Sequence, residues 1–196
     1  MSKTYDGNAF GWENLVETYT SDISPKEEGV ALGYEKITEV PSGLDVGEYS
    51  AKVETENFYL YYESSGERLA ESEYAINLVS QPTLTITKCQ ITFMTPKRTG
   101  FYSGSTVSVS CGEATVKSAP STANIQSLDG NRFSCNNGDI IELTPSCEVY
   151  TFDGTGKTTN GSSENPWTAK VMRGDVDVTY NYDISFIYSA IEVCDW

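Results

Sequence analysis

From Gly33 onward apolar and polar residues alternate with a period of two, the pattern of strands that bury one face. Residues 34–40 predict a first strand, closed by Pro41-Ser42-Gly43. Residues 48–55 place Tyr49, Ala51 and Val53 on one side, and 58–62 form an aromatic strand that turns at Ser64-Ser65-Gly66. The alternation continues through Ala70, Ser72, Tyr74, Ile76 and Leu78, although 68–74 also reads as a helical turn. Beyond Gln81-Pro82, residues 83–95 predict a long strand with a bulge near Lys88-Cys89. Val107 and Val109, then 140–143, 149–152, 167–172 and 176–188, complete a set rich in β-branched and aromatic residues. Helical spacing is confined to Trp12, Leu15, Val16 and Tyr19, which stand at i, i+3, i+4 and i+7, with Asp6 or Asn8 as a cap.

About ten short strands separated by turn residues predict an all-β fold. An antiparallel sandwich or barrel fits, or two small β domains, with a short N-terminal helix or arm. The expected divisions are an arm over 1–33, an acidic β portion over 34–81 and a sandwich portion over 82–196. Charge supports the second boundary. Residues 1–81 carry 16 acidic and 5 basic side chains, whereas 82–196 carry 12 and 8. The polar stretches 117–124 and 154–166 read as exposed loops or partner contacts.

Composition narrows the function. The chain has 196 residues, 13 Lys and Arg against 28 Asp and Glu, and a formal charge of -15. Such a surface repels nucleic acid and anionic membranes, so neither is expected as a partner. With no histidine, Ser-His-Asp and Cys-His catalysis and histidine-ligated zinc are impossible within the chain. Nothing nucleophilic has an evident activating base, and no enzyme activity or cofactor is expected.

No stretch resembles a signal peptide or reaches the ~18 apolar residues of a spanning helix, so cytoplasmic synthesis is expected. The ends at Met1 and Trp196 read as native termini held in place. The five cysteines show no Cys-x-x-Cys spacing and are expected to be reduced, buried residues on strands. Asn160-Gly161-Ser162 reads as a turn.

Gly154-Thr155-Gly156-Lys157-Thr158 ends like a phosphate-binding loop, but Thr151 stands where the first glycine is required. The carboxylate pairs Asp175/Asp177, Glu54/Glu56 and Glu71/Glu73 lie two apart and read as solvated strand faces. Asp129-Gly130-Asn131 and Asp153-Gly154 lack the downstream glutamate of a helix-loop-helix calcium site and read as turns. Aromatic residues are the sharper signal. Tyr59 and Tyr61 share one face of their strand, opposite Phe58, Leu60 and Tyr62, and Tyr180, Tyr182 and Tyr188 fall in register. Candidate interface residues are Trp12, Tyr19, Tyr59, Tyr61 and Trp167; no metal ligand or catalytic residue is assigned.

Cytoplasmic synthesis, a small β fold, and strands rich in Tyr, Thr, Ser, Gly and Asn resemble the virion structural proteins of tailed bacteriophages. That resemblance implies a homo-oligomeric piece of a capsid, neck, tail or fibre, assembled with other virion proteins in the host cytoplasm. It makes residues 5–19 an anchoring arm. Two further readings are a carbohydrate-binding β-sandwich with exposed Tyr and Trp167, and an acidic inhibitor whose N-terminal carboxylates imitate nucleic acid.

Overall fold

The alternating pattern produces strands of two to six residues throughout. The computed structural model describes residues 1–11, 28–35, 41–50, 53–81, 83–102, 106–147, 149–151, 157–160 and 166–194. Among these the helical elements are single 3-10 turns of three residues. The expected helix over 12–19, with Trp12 and Tyr19, lies outside the described residues, as does most of the strand expected over 34–40.

The chain forms two units, one of Met1–Lys3 with Ala9–Ile86, the other of Thr4–Asn8 with Thr87–Trp196. In the first unit the strands are β1 (Ser2–Thr4), β2 (Phe10–Gly11), β3 (Val30–Tyr34), β4 (Ser42–Gly43), β5 (Gly47–Ser50), β6 (Phe58–Tyr62) and β7 (Thr83–Thr87). They form a sheet ordered β1-β7-β5 and the pairs β2-β4 and β3-β6. Leu84 and Ile86 of β7 are buried, and so are Val53 and Phe58. Gln81 clamps Val53 at both ends, accepting from its N–H at 3.1 Å and donating to its carbonyl at 2.7 Å.

The second unit contains β8 (Cys89–Met94), β9 (Arg98–Phe101), β10 (Thr106–Ser108), β11 (Thr115–Ser118), β12 (Gln126–Ser127), β13 (Arg132–Ser134) and β14 (Ile140–Thr144). It continues with β15 (Val149–Thr151), β16 (Lys157–Asn160), β17 (Thr168–Arg173), β18 (Val176–Asp177), β19 (Tyr182–Ile187) and β20 (Ala190–Cys194). The sheets run β11-β8-β19, β12-β13-β14-β17-β18 and β16-β20-β9, with β10-β15 as a pair. Alternation buries Cys89, Ile91 and Phe93 of β8, and likewise Phe133 of β13 and Ile141 and Leu143 of β14. Phe93 and Phe133 meet at 4.8 Å between ring centroids. That contact sets two sheets against each other as in a sandwich, and among the described residues none of the sheets closes into a barrel.

Several expectations need correction. The long strand over 83–95 is interrupted at Lys88, giving β7 and β8. The sheets are not wholly antiparallel: β19 runs parallel to β8 and β20 parallel to β9. The chain therefore follows residues 89–101 with residues 182–194 at a fixed offset of 93, as in the Thr92–Ser185 hydroxyl pair. At the corner between these two ladders Ser189 holds Thr95, whose hydroxyl accepts from the Ser189 N–H at 2.9 Å. Parallel pairing needs no tight turn between its partners, so local turn chemistry does not reveal it. Tyr180, Tyr182 and Tyr188 also do not share a strand: Tyr180 is exposed on a 3-10 turn, Tyr182 opens β19 and Tyr188 follows it.

Of the five cysteines three are free, and one of these, Cys194 of β20, is half-buried and not buried as expected. Cys89 and Cys135 are buried, as expected. Cys111 and Cys147 are instead joined in a disulfide, with Cα atoms 5.0 Å apart. Their separation of 36 residues gave no local signature, and the bridge forms because the fold brings them within bonding reach.

Candidate functional site

The second unit buries a polar network centred on Asp139, which is 0% exposed. Asp139 immediately precedes β14, and an Asx turn fixes it there: its N–H donates to the Asn137 side-chain oxygen at 3.0 Å. Asp139 Oδ2 accepts from the Tyr5 hydroxyl at 3.0 Å, the Tyr182 hydroxyl at 2.7 Å and Asn137 Nδ2 at 3.0 Å. Arg173, at the end of β17, donates Nε to Oδ1 at 2.8 Å and Nη2 to Oδ2 at 3.2 Å. The same guanidinium donates to the Tyr5 hydroxyl. The Tyr5 and Tyr182 rings meet edge to face, 5.3 Å between centroids.

Four distant segments thus converge on one carboxylate. Tyr5 reaches it because its N–H bonds the Thr87 carbonyl at 2.8 Å and because the chain reverses just afterwards at Gly7. Gly7 has φ +76, and a Cβ there would fall on the Asn137 side chain, so no other residue fits. The charge is matched by Arg173 and by donors at every approach, which makes burial tolerable. Burial raises the hydroxyl pKa of Tyr182 far above that of an ordinary tyrosine, and it pushes the neighbouring Cys135 thiol up to about 11. A saturated carboxylate, a locked phenol and a protonated thiol are suited to holding strands together and poorly suited to attacking a substrate.

Tyr182 also borders a surface groove of about 470 Å³. Its walls are the inward face of β19 (Tyr182, Ile184, Phe186), Tyr188, and the start of β17 with Trp167 and Ala169. Thr168, Thr179 and Asp183 supply polar atoms at its border. Phe186 links groove to core, lying 6.2 Å from Phe93, 6.2 Å from Trp167 and 6.3 Å from Tyr188. The Tyr188 hydroxyl accepts from the Trp167 backbone N–H at 2.9 Å, pinning the two walls together. The Trp167 indole N–H is buried with no acceptor.

The expected interface residues meet different fates. Trp167 is buried at 2% exposure, which corrects its reading as an exposed stacking platform: the ring is needed to close the hydrophobic layer beneath the groove. Tyr59 and Tyr61 are half-buried, 6.1 Å apart, on one face of β6. The Tyr59 ring lies over Gly33 of β3 and carries the Arg68 guanidinium at 3.6 Å. Arg68 in turn pairs with Glu35 at 2.9 Å. Trp12 and Tyr19 lie outside the described residues.

Other candidate motifs are structural where they are described. Asp129 pairs with Arg132 in its turn, while Asn131 bonds the Gly112 carbonyl and the Ala114 N–H. Asp177 is held ionised by bonds from Thr179, with Lys170 at 4.0 Å. Among the described residues no group of acidic, cysteine or histidine side chains has metal-binding geometry, and no helix is long and apolar enough to cross a membrane.

Sequence reasoning missed the Asp139 network. Tyr5, Arg173 and Tyr182 stand 134, 34 and 43 residues from Asp139 along the chain, and the one local sign was the Asn137-Gly138-Asp139 turn. Comparison with protein-family models, with curated proteins and with solved structures finds no match for this chain.

Proposed function

We propose that this chain is a structural component of a virus particle, acting through contacts with further copies of itself and with other virion proteins. The supporting observation is the state of the sheet edges in the second unit. Val116 on β11, Val149 on β15, Val176 on β18 and Ile187 on β19 are all exposed apolar side chains on strands at the end of a sheet among the described residues. Val149 and Val176 are 66% and 61% exposed. Monomeric β proteins protect such edges with charge, proline or cover, because an open edge pairs with another chain. Lys117 on β11 and Asp177 on β18 give partial protection. Self-association through this unit also meets less repulsion, since residues 82–196 carry far less excess acid than residues 1–81.

The test is the native mass of the full chain. An oligomer is expected, weakened toward monomer by Val149→Lys together with Val176→Lys, while the double variant keeps the wild-type unfolding midpoint. A monomer at high micromolar concentration contradicts the proposal.

The groove favours a second reading, a carbohydrate-binding β-sandwich. Half-buried Phe186 and Tyr188 beside Thr168, Thr179 and Asp183 offer apolar faces and hydroxyl partners together, as sugar rings require. Titration calorimetry with neutral hexose oligosaccharides should show binding that Asp183→Ala and Phe186→Ala abolish. No heat with any of them removes this reading.

A further inference from the structure

We infer that the Cys111–Cys147 disulfide is a reversible redox staple on a neck that is already shaped without it. The neck joins β10 and β15, whose antiparallel ladder pairs Thr106 with Thr151 and Ser108 with Val149. Just beyond Ser108 and just before Val149 stand the two cysteines. Between them the chain forms β11 to β14, including three of the five strands in the larger sheet. Closing the bond therefore ties off an entire substructure at its base.

Non-covalent contacts hold both sides of that base. On the Cys111 side, Gly112 packs so tightly on Pro96 that a Cβ would come within 2.6 Å of its ring. Asn131 then grips the same stretch, donating to the Gly112 carbonyl at 3.0 Å and accepting from the Ala114 N–H at 2.8 Å. On the Cys147 side, buried Arg98 donates to the Ser146 carbonyl at 3.2 Å. With both flanks fixed, the cysteines stay within bonding reach when the bond is open.

Chemistry singles out this pair. Cys147 is exposed and Cys111 half-buried, so a solution thiol can reach the bond. Of the three free cysteines, Cys89 and Cys135 are buried, with thiols pushed up to about 11 chiefly by that burial, and do not compete, while Cys194 is half-buried at the end of β20. In a reducing compartment a glutathione thiolate attacks the Cys147 sulfur, giving a mixed disulfide and the Cys111 thiolate, which takes up a proton. A second glutathione releases the Cys147 thiol and leaves as glutathione disulfide. Exchange with glutathione disulfide runs the same steps backward, converting two protein thiols to one disulfide and yielding two glutathiones. The staple is thus open where the chain is made in a reducing cytoplasm and closes once glutathione disulfide or another oxidant predominates.

The test incubates the full chain in glutathione buffers from strongly reducing to strongly oxidising, followed by acid quench, alkylation and peptide mass mapping. Cys111 and Cys147 should become alkylated together as the buffer turns reducing and be protected together as it turns oxidising. Reduction should lower the unfolding temperature by roughly 5–15 °C without loss of the β-sheet circular dichroism signal. Cys111→Ser, Cys147→Ser and the double variant should each match the reduced protein. A bond that survives millimolar glutathione, one that fails to form in glutathione disulfide, or loss of the sheet signal on reduction would each overturn the proposal.

Discussion

Each unit contains a tyrosine, an arginine and a carboxylate in contact, and the two sets differ in where they sit. In the first unit Tyr59, Arg68 and Glu35 lie on the surface, with the ion pair at 2.9 Å and its side chains 53% and 59% exposed. In the second, Tyr5, Arg173 and Asp139 make an ion pair at 2.8 Å whose side chains are 31% and 0% exposed. Bond lengths barely distinguish them. What separates them is the medium: water screens the first pair and reclaims either partner if it is lost, whereas the second would leave an uncompensated charge in the core. Similar chemistry is therefore decoration in one place and framework in the other.

Removing the buried carboxylate should cost the most. Asp139→Ala strands Arg173, two phenols and Asn137, and should destabilise the second unit by about 3–5 kcal/mol, read from urea unfolding. Asp139→Asn should cost less, because one oxygen still accepts. High pH should act next. The Cys89 and Cys135 thiols ionise near 11 in the fold, above the ordinary cysteine value of 9.0. A raised pKa means the fold favours the protonated form, so this contribution is complete below about pH 9 and is lost as pH rises toward 11. The loss should reach about 3 kcal/mol per thiol, and Cys135→Ala should flatten the alkaline limb of the stability profile.

Tyr5→Phe removes a single donor from a carboxylate that keeps four others, and should cost about 1–2 kcal/mol in the same assay. The smallest effect belongs to the exposed set. Arg68→Ala should leave the unfolding midpoint unchanged within error, since both partners return to water. Should Arg68→Ala prove as damaging as Asp139→Ala, burial would not be what separates the two sets.

The strand pattern made the all-β character legible, because one-face burial leaves a period-two trace in residues such as Cys89, Ile91 and Phe93. Phe58–Tyr62 appears as a strand with its expected bounds. Pairing was not legible: the β8–β19 and β9–β20 ladders join segments 93 residues apart with no turn between them to advertise the match. The disulfide was hidden for the same reason. Trp167 reads as a surface aromatic because it stands just ahead of its strand beside a polar stretch, yet it alternates with Ala169 and Val171 and shares their inward face. Asp139, one acid among 28 acidic residues, carried no mark of burial beyond its turn.

Native mass spectrometry of the full chain across a concentration series reads assembly through the exposed sheet edges of the second unit. A defined oligomer that dissociates when Val149 and Val176 are both replaced by lysine is expected. A chain that stays monomeric at every concentration, with or without those substitutions, would contradict assembly through those edges.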